Sequence, residues 1–174
     1  MVAKLLYVAK RTGPYLITLI LFLKTRVRHA TEADQEKLRK GLRYLNSTKS
    51  MGIIRLWSSG DNRIRAYIDA SYGIHHDRKS HAGLYLTLGG GPISVKSCKL
   101  RLMVKSSTVY EAELVAMSHM CSTVLWALEW LRELDYNIKS ALVYQDNLSA
   151  MQLATNRDSS SGKSKHMEIS RYYI

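Results

Sequence analysis

The chain has 174 residues, of which 46% are hydrophobic and 23% charged, with 2 Pro and 10 Gly. This composition excludes a disordered, collagen-like or low-complexity chain, and it supplies enough apolar material for the core of one ordinary domain. Cys98 and Cys121 are the only cysteines, too few and too far apart for a disulfide framework or a CxxC zinc site. We therefore expect a reducing, intracellular setting.

The positive charge is concentrated in the N-terminal third of the chain. Lys and Arg number 26 against 14 Asp and Glu, which gives a formal net charge of +12. Residues 1–60 carry 12 of these basic residues and only 3 acidic ones, so most carboxylates lie further along the chain. A basic flank attached to an acid-containing domain favours a polyanionic partner such as nucleic acid.

One strongly apolar segment, Tyr15–Leu23, follows Lys10 and Arg11 and resembles a signal sequence with its basic start. It is much shorter than the ~20 residues that a transmembrane helix needs. Lys24 and Arg26 stand where a small-residue cleavage site would be expected. With Pro14 suited to a first helical turn, we predict a buried helix, no membrane association, and a cytoplasmic or nuclear location.

Residues 31–45 predict an amphipathic helix with a basic outer face. Thr31 and Asp34 have the spacing of a capping box, with Asp in place of Glu, and leucines then recur at helical intervals. The polar residues 46–51 predict a turn.

Three strands and a long helix are predicted next. Residues 63–70 alternate between apolar and polar side chains and are predicted to form the first strand. Residues 82–88 and 93–97 are the second and third strand candidates, joined by a Gly-rich turn over 89–92. An apolar stripe predicts a helix over 109–134, with Thr108 and Glu111 as its capping pair. A short strand over 141–144 and a helix over 148–155 follow. The order β-β-β-α-β predicts an α/β fold, in which a mixed sheet is flanked by helices.

Three carboxylates occupy positions that favour a shared site. Asp69 and Asp146 end apolar strands, where Asp is normally depleted, and Glu113 lies near the start of the long helix. If they converge, they repel one another and require a hard cation, for which Mg²⁺ is the natural choice. Each residue also has a plain structural interpretation, as a strand-end turn residue or as a complement to the helix dipole.

The sequence resembles the C-terminal part of Ty1/copia-type retrotransposon polyproteins, namely the ribonuclease H domain preceded by the end of the reverse transcriptase. The polymerase's own YVDD-type core is absent. The matching stretches are LLYVAKRTGP (5–14), LRKGLRYLNSTKSMGI (38–53), YIDASYGIHHDRKSHAG (67–83), GGGPISVKS (89–97), KSSTVYEAELVAM (105–117), YQDNLSA (144–150) and KSKHMEISRYYI (163–174).

The resemblance implies a ribonuclease H-like fold with a five-stranded type of mixed sheet and an N-terminal helical extension. The resemblance divides the chain into a basic helical extension, 1–58, and a ribonuclease H-like domain, 59–174, that is truncated at its C-terminus. The implied setting is a longer polyprotein with a reverse transcriptase core, inside a cytoplasmic virus-like particle or in the nucleus.

The resemblance also assigns roles to individual residues. Asp69, Glu113 and Asp146 match the family's catalytic carboxylates, which bind two Mg²⁺ ions, with Mn²⁺ as a substitute. Glu168 matches the fourth acid, which is usually Asp, and His166 matches a mobile histidine that assists the water or product release.

The implied reaction is hydrolysis of the RNA strand of an RNA–DNA hybrid, with no small-molecule substrate. Such selection needs contacts to RNA 2′-hydroxyls and to phosphates of the DNA strand. The residues we predict to bind the nucleic acid are Arg63, Arg65, Ser71, Arg78, Lys79 and Asn147.

Several departures from the family pattern favour an alternative, a decayed copy that only binds nucleic acid. Val109 and Tyr110 resemble a two-residue insertion, the upstream motif ends GPY instead of RPD, and the chain stops at Ile174 within the family's last helix. An integrase core with a D-D-E triad is a further alternative, disfavoured because Glu113 stands between the two aspartates. A membrane-anchored protein is the remaining one.

Overall fold

The computed structural model describes residues 1–51, 63–101, 109–138 and 140–148, with no side-chain description for 109–111. The helices are α1 (Val2–Arg11), α2 (Ile17–Arg26), α3 (Glu32–Thr48) and α4 (Val109–Glu133), with 3-10 turns at Pro14–Leu16 and Val27–His29. The strands are β1 (Ile64–Ser71), β2 (His81–Leu88), β3 (Gly91–Lys99) and β4 (Ala141–Tyr144).

The strands form one mixed sheet in the order β3-β2-β1-β4. β1 pairs antiparallel with β2, and β2 pairs antiparallel with β3, whereas β4 lies parallel to β1. The predicted α/β class and the mixed sheet are confirmed. The described residues form four strands, so the five-stranded type of sheet is not seen in this part of the chain.

The pattern of β1 explains why it lies at the centre of the fold. Its even-numbered residues, from Ile64 to Ala70, are buried, and its odd-numbered residues from Tyr67 onward are exposed. The buried face packs against α4, whose residues Ala116, Met120 and Val124 belong to the same core. The opposite face of the sheet is left open beside β1 and β4, and this opening determines where a ligand can approach.

By length and composition, α4 is the one helix in the described ranges that could cross a membrane, over Ala112–Glu133. However, 56% of this segment is buried inside the molecule, against β1 and β2. A core helix of a folded domain has this same composition. The segment Tyr15–Leu23 instead forms a 3-10 turn and most of α2, with Ile17, Ile20 and Leu23 buried as predicted.

The N-terminal helices form a second, smaller core. α2 contacts α1, α3 and the edge strand β3. Leu5 and Ala9 of α1 are buried there together with Ile20 of α2. No element was predicted for residues 2–11, although most of these residues are apolar and they form the amphipathic helix α1. The division into 1–58 and 59–174 stays a prediction.

Two predicted turns are wrong in extent. Residues 46–51 were predicted to be a turn, but α3 continues through Thr48, whose hydroxyl donates to the Tyr44 carbonyl at 2.9 Å. Pro92 was assigned to the turn after β2, yet it lies inside β3 and pairs with Thr87. A proline is tolerated there because β3 is an edge strand and the ladder has a register shift at this point. The helix predicted over 148–155 lies outside the described residues beyond 148.

A buried polar chain joins α2 to the sheet. Thr25 Oγ1 lies 3.5 Å from His75 Nδ1, His75 Nε2 lies 3.1 Å from His81 Nδ1, and His81 Nε2 lies 2.6 Å from Ser97 Oγ. Phe22 contacts both imidazole rings. Burial, with a smaller contribution from His75, lowers the pKa of His81 to about 4, so this chain is held together by neutral imidazoles.

The capping box predicted for α3 is present. Asp34 N–H donates to Thr31 Oγ1 at 3.3 Å, and Thr31 N–H donates to the Asp34 carboxylate at 3.0 Å. The backbone N–H of Thr31 is the main cause that lowers the pKa of Asp34 to about 2, and Arg26, 2.9 Å away, contributes as well. This cap therefore also attaches the end of α2 to the start of α3.

Thr31→Ala should lower the free energy of unfolding by about 1 kcal/mol. The Asp34 N–H then keeps only the Thr31 carbonyl as acceptor, and the Asp34 carboxylate loses the Thr31 hydroxyl as donor. Thr31→Ser keeps the hydroxyl and should be at least as stable as the wild type. Urea unfolding followed by circular dichroism measures both. Equal destabilisation by Ala and Ser would show that the hydroxyl does not cap α3.

Candidate metal and nucleic-acid site

Asp69 lies near the end of β1, on the open face of the sheet. It follows Tyr67 by two residues and therefore shares its face, and its side chain is exposed. Its neighbour across the β1–β2 ladder is Gly83. A Cβ built on Gly83 meets nothing within 4 Å, so this side of Asp69 is open to an incoming ligand.

Asp146 is brought to the same place by the parallel pairing of β4. Tyr67 and Tyr144 are the last pair of the β1–β4 ladder, and each aspartate comes two residues later. The carboxyl ends of parallel strands lie at one edge of a sheet, so equal offsets place the two aspartates side by side. The side chain of Asp146 is exposed, like that of Asp69.

Glu113 comes to the two aspartates from α4 and is only 4% exposed. Gln145 Nε2 donates to Glu113 Oε2 at 3.0 Å. The other end of the same amide, Gln145 Oε1, accepts the N–H of Asp146 at 2.7 Å and that of Asn147 at 3.3 Å. A single side chain thus connects the buried glutamate to the turn that carries Asp146.

One carboxylate oxygen from each of Asp69, Glu113 and Asp146 lies within 4.8 Å of the others. Burial raises the pKa of Glu113 to about 7, and the charges of Asp69 and Asp146 raise it further, against the opposing hydrogen bond from Gln145. The cluster therefore concentrates negative charge at a partly exposed spot on a protein whose overall charge is positive.

The donor set fits a hard divalent cation. All three groups offer carboxylate oxygens, which Mg²⁺ prefers, and the two exposed aspartates leave space for water or a substrate phosphate as further ligands. Asp69, Glu113 and Asp146 are thus brought together as the sequence predicted, and their metal binding is a proposal developed below.

The predicted contacts Arg63 and Arg65 lie away from this cluster. Arg65 shares the strand of Asp69 but stands four residues earlier, about 13 Å along a strand. Its guanidinium is directed to the carbonyl of Gly89, 3.4 Å away. Arg63 is exposed and lies just before β1, further still from Asp69. Any contact these two arginines make with a substrate is therefore distant from the carboxylates.

The other predicted contacts lie at or after the ends of β1 and β4. Ser71 ends β1 two residues after Asp69, on the same exposed face. Arg78 is exposed, has a positive φ of 56° and donates its N–H to the carbonyl of His75. Lys79 is half-buried, with Nζ 3.8 Å from Asp77 Oδ2, and Asn147 is half-buried beside Gln145.

Glu168 and His166 lie outside the described residues, as does Thr108, half of the cap predicted for α4. α4 begins at Val109, which agrees with the predicted helix start. The side chain of Glu111, the other half of that cap, is not described.

Sequence reasoning missed the role of Gln145. It stands in the stretch YQDN, between the last residue of β4 and Asp146, where a polar residue predicts no more than a turn. Since successive strand residues alternate between faces, its position next to an exposed Asp146 points it to the side of the sheet that holds α4. That alternation was the available signal.

Comparison with known proteins shows similarity to transposon proteins. Over 174 residues it is 29% identical to the retrovirus-related Pol polyprotein from transposon TNT 1-94 of Nicotiana tabacum, covering 99% of this chain and 13% of that protein. Over 146 residues it is 34% identical to the one from transposon RE1 of Arabidopsis thaliana, covering 83% of this chain and 10% of that protein. The chain is similar to a segment of transposon Pol polyproteins.

This similarity supports a retrotransposon-derived polyprotein fragment that spans about a tenth of the length of those relatives. The chain is also 29% identical over 126 residues to secreted RxLR effector protein 161 of Plasmopara viticola, covering 72% of this chain and 87% of that protein. No protein-family model and no solved structure matches the chain.

The pKa values of His81 and Glu113 predict opposing pH dependences of stability in chelator. The pKa of His81 is lowered to about 4, so the free energy of unfolding is unaffected by this group above pH 6.5 and falls as the pH decreases from 6.5 to 4. The pKa of Glu113 is raised to about 7, so the free energy of unfolding falls as the pH rises from 4.5 through 7. Each effect is about 1–2 kcal/mol after solvent screening is allowed for.

Single variants should separate the two titrations. Glu113→Gln leaves the histidine effect, so its stability should rise as the pH increases from 4 to 6.5. His81→Gln removes the His81 effect but leaves that of His75, whose pKa burial also lowers. Its stability should therefore rise less than that of Glu113→Gln as the pH increases from 4 to 6.5, and should fall as the pH approaches 7. Urea unfolding across this pH range measures the slopes, and parallel curves for both variants would contradict the assignments.

Proposed function

We propose that this chain is the ribonuclease H-like unit of a retrotransposon polyprotein and hydrolyses the RNA strand of RNA–DNA hybrids with two Mg²⁺ ions. The observation that carries the proposal is the convergence of Asp69, Glu113 and Asp146 within 4.8 Å. The order of elements that supplies them, strand, helix and strand, and the similarity to Pol polyproteins support it further.

The exposures of the three carboxylates favour different tasks. Asp69 and Asp146 are exposed on the open face, where they would hold Mg²⁺ within reach of an incoming substrate phosphate. Glu113 is buried and fixed by the amide of Gln145, so it holds one side of the site in place. Bound Mg²⁺ supplies an activated water and neutralises charge at the phosphate.

Recognition of the hybrid belongs to residues around this cluster. Ser71 lies on the same face of β1 as Asp69, close enough to meet a sugar hydroxyl of the scissile strand. Arg78 and Lys79, in the loop after β1, offer positive charge at the same end of the sheet for phosphates of the other strand. The 2′-hydroxyl is the group that distinguishes RNA from DNA at such a site.

A second candidate is a nucleic-acid-binding module that does not cut. The net charge of +12, most of it carried by residues 1–60, favours binding without reference to the carboxylates. Strong salt dependence of binding, together with no metal-dependent cleavage, would identify this alternative.

Asp69→Asn should reduce cleavage of an end-labelled RNA–DNA hybrid by more than about 100-fold, while the variant still binds the hybrid. Removing one carboxylate weakens the metal site and relieves repulsion, so the fold should be retained. Cleavage is measured with Mg²⁺, with Mn²⁺ and with chelator, and circular dichroism checks folding.

Asp135→Asn is the matched control. Asp135 is exposed, has a positive φ of 61° that Asn also tolerates, and lies after the far end of α4 from Glu113. This variant should cut like the wild type. Cleavage by Asp69→Asn at the wild-type rate, or cleavage by the wild type in chelator, would refute the proposal.

A further inference from the structure

A row of three tyrosines crosses the open face of the sheet. Tyr85 of β2 and Tyr144 of β4 are the ladder partners of Tyr67 in β1, one on each side. The rings of Tyr67 and Tyr144 are stacked, with centroids 4.8 Å apart and planes 9° from parallel, and Tyr85 lies 6.3 Å from Tyr67. All three remain exposed, at 43%, 38% and 44% for Tyr67, Tyr85 and Tyr144.

The row ends beside the carboxylate cluster. Asp69 and Asp146 each follow a tyrosine of the row by two residues, so they share its face and lie about 7 Å further along their strands. Gly83 follows the same alternation on β2 and has no side chain. A ligand lying on the rings can therefore reach the aspartates with no side chain from β2 in its way.

These residues form the floor of a groove between the sheet and the N-terminal helices. Its cavity has a volume of about 710 Å³, and its opposite wall is formed by Pro14, Tyr15 and Thr18. An adjoining cavity of about 490 Å³ shares Pro14 and Tyr15 and extends to Lys10 and Arg11, both exposed on α1. The groove thus passes from a carboxylate end, over an aromatic floor, to a basic end.

We propose that this groove binds a single-stranded segment of nucleic acid. Its bases stack on the outer ring faces at the two ends of the row, Tyr144 and Tyr85, which Tyr67 holds in place, and its phosphates meet Lys10 and Arg11. Unpaired bases expose the flat faces that aromatic side chains stack on, whereas paired bases in a duplex do not. The positive end and the overall charge of +12 complement the phosphates. This proposal rests on the proposed function, because that function makes the adjacent carboxylates a cleavage site.

The test measures binding of a fluorescein-labelled oligouridylate by anisotropy, in chelator and at one fixed salt concentration. Tyr144→Ala should weaken binding by about 5- to 100-fold, the range for loss of one base–aromatic stack. Tyr67→Ala should weaken it as well, because Tyr144 loses the ring that it is stacked on. Tyr67→Phe and Tyr144→Phe keep the ring and should bind within about 2-fold of the wild type. These Phe variants also separate loss of stacking from loss of folding.

Two further variants test the groove: one is a control outside it, and the other changes its basic end. Tyr136→Ala removes an exposed tyrosine that follows α4 and lies outside both cavities, so binding should not change. The double variant Lys10→Ala, Arg11→Ala should weaken binding and reduce the slope of log K against log salt by about 1.4, since each phosphate contact on a single strand contributes about 0.7.

The proposal is overturned if Tyr67→Ala and Tyr144→Ala, shown to be folded, bind the oligouridylate as tightly as the wild type. It is equally overturned if the wild type does not bind it, which would mean that another segment or a second copy covers the face.

Failure of the groove proposal is distinguishable from failure of the proposed nuclease function. Tyrosine-dependent binding by a chain that never cuts hybrid supports the groove and refutes the nuclease. Cutting that depends on Asp69 but not on the tyrosines supports the nuclease and refutes the groove.

Discussion

The convergence of three carboxylates at one edge of the sheet is the constraint around which this structure is organised. Asp69, Glu113 and Asp146 are forced together because β1 and β4 end at one edge of the sheet and α4 packs across it. Burial raises the pKa of Glu113, and the charges of Asp69 and Asp146 raise it further, while hydrogen bonds from the Gln145 amide and the Ala70 backbone oppose this rise. A fold that keeps such a cluster does so at a cost to its own stability.

The rest of the molecule supports that edge of the sheet. α4 fills the buried face and delivers Glu113, while α2 covers β3 at the other side of the sheet. The imidazoles of His75 and His81 connect α2 to the strands through buried hydrogen bonds. The open face between these supports carries the tyrosine row and the exposed aspartates, and access to the site is therefore from this face.

Much of this arrangement follows from sequence patterns that depend on local residues. Alternation along β1 and the apolar stripe of α4 predicted both elements, and an Asp at the end of an apolar strand predicted the convergence. The tyrosine row was not predicted, because it depends on the register that pairs Tyr67 with Tyr85 and Tyr144. The His75–His81 chain was missed for a similar reason, since it forms only when α2 packs on a distant loop.

The most direct test of the central claim is the effect of Mg²⁺ on thermal unfolding at pH 7.5. If the three carboxylates bind the ion, Mg²⁺ at tenfold its dissociation constant should stabilise the wild type by about 1.4 kcal/mol. A variant carrying both Asp69→Asn and Asp146→Asn should show no such stabilisation, while Asp135→Asn should behave as the wild type. An equal effect of Mg²⁺ on all three proteins would contradict the claim that this cluster is a metal site.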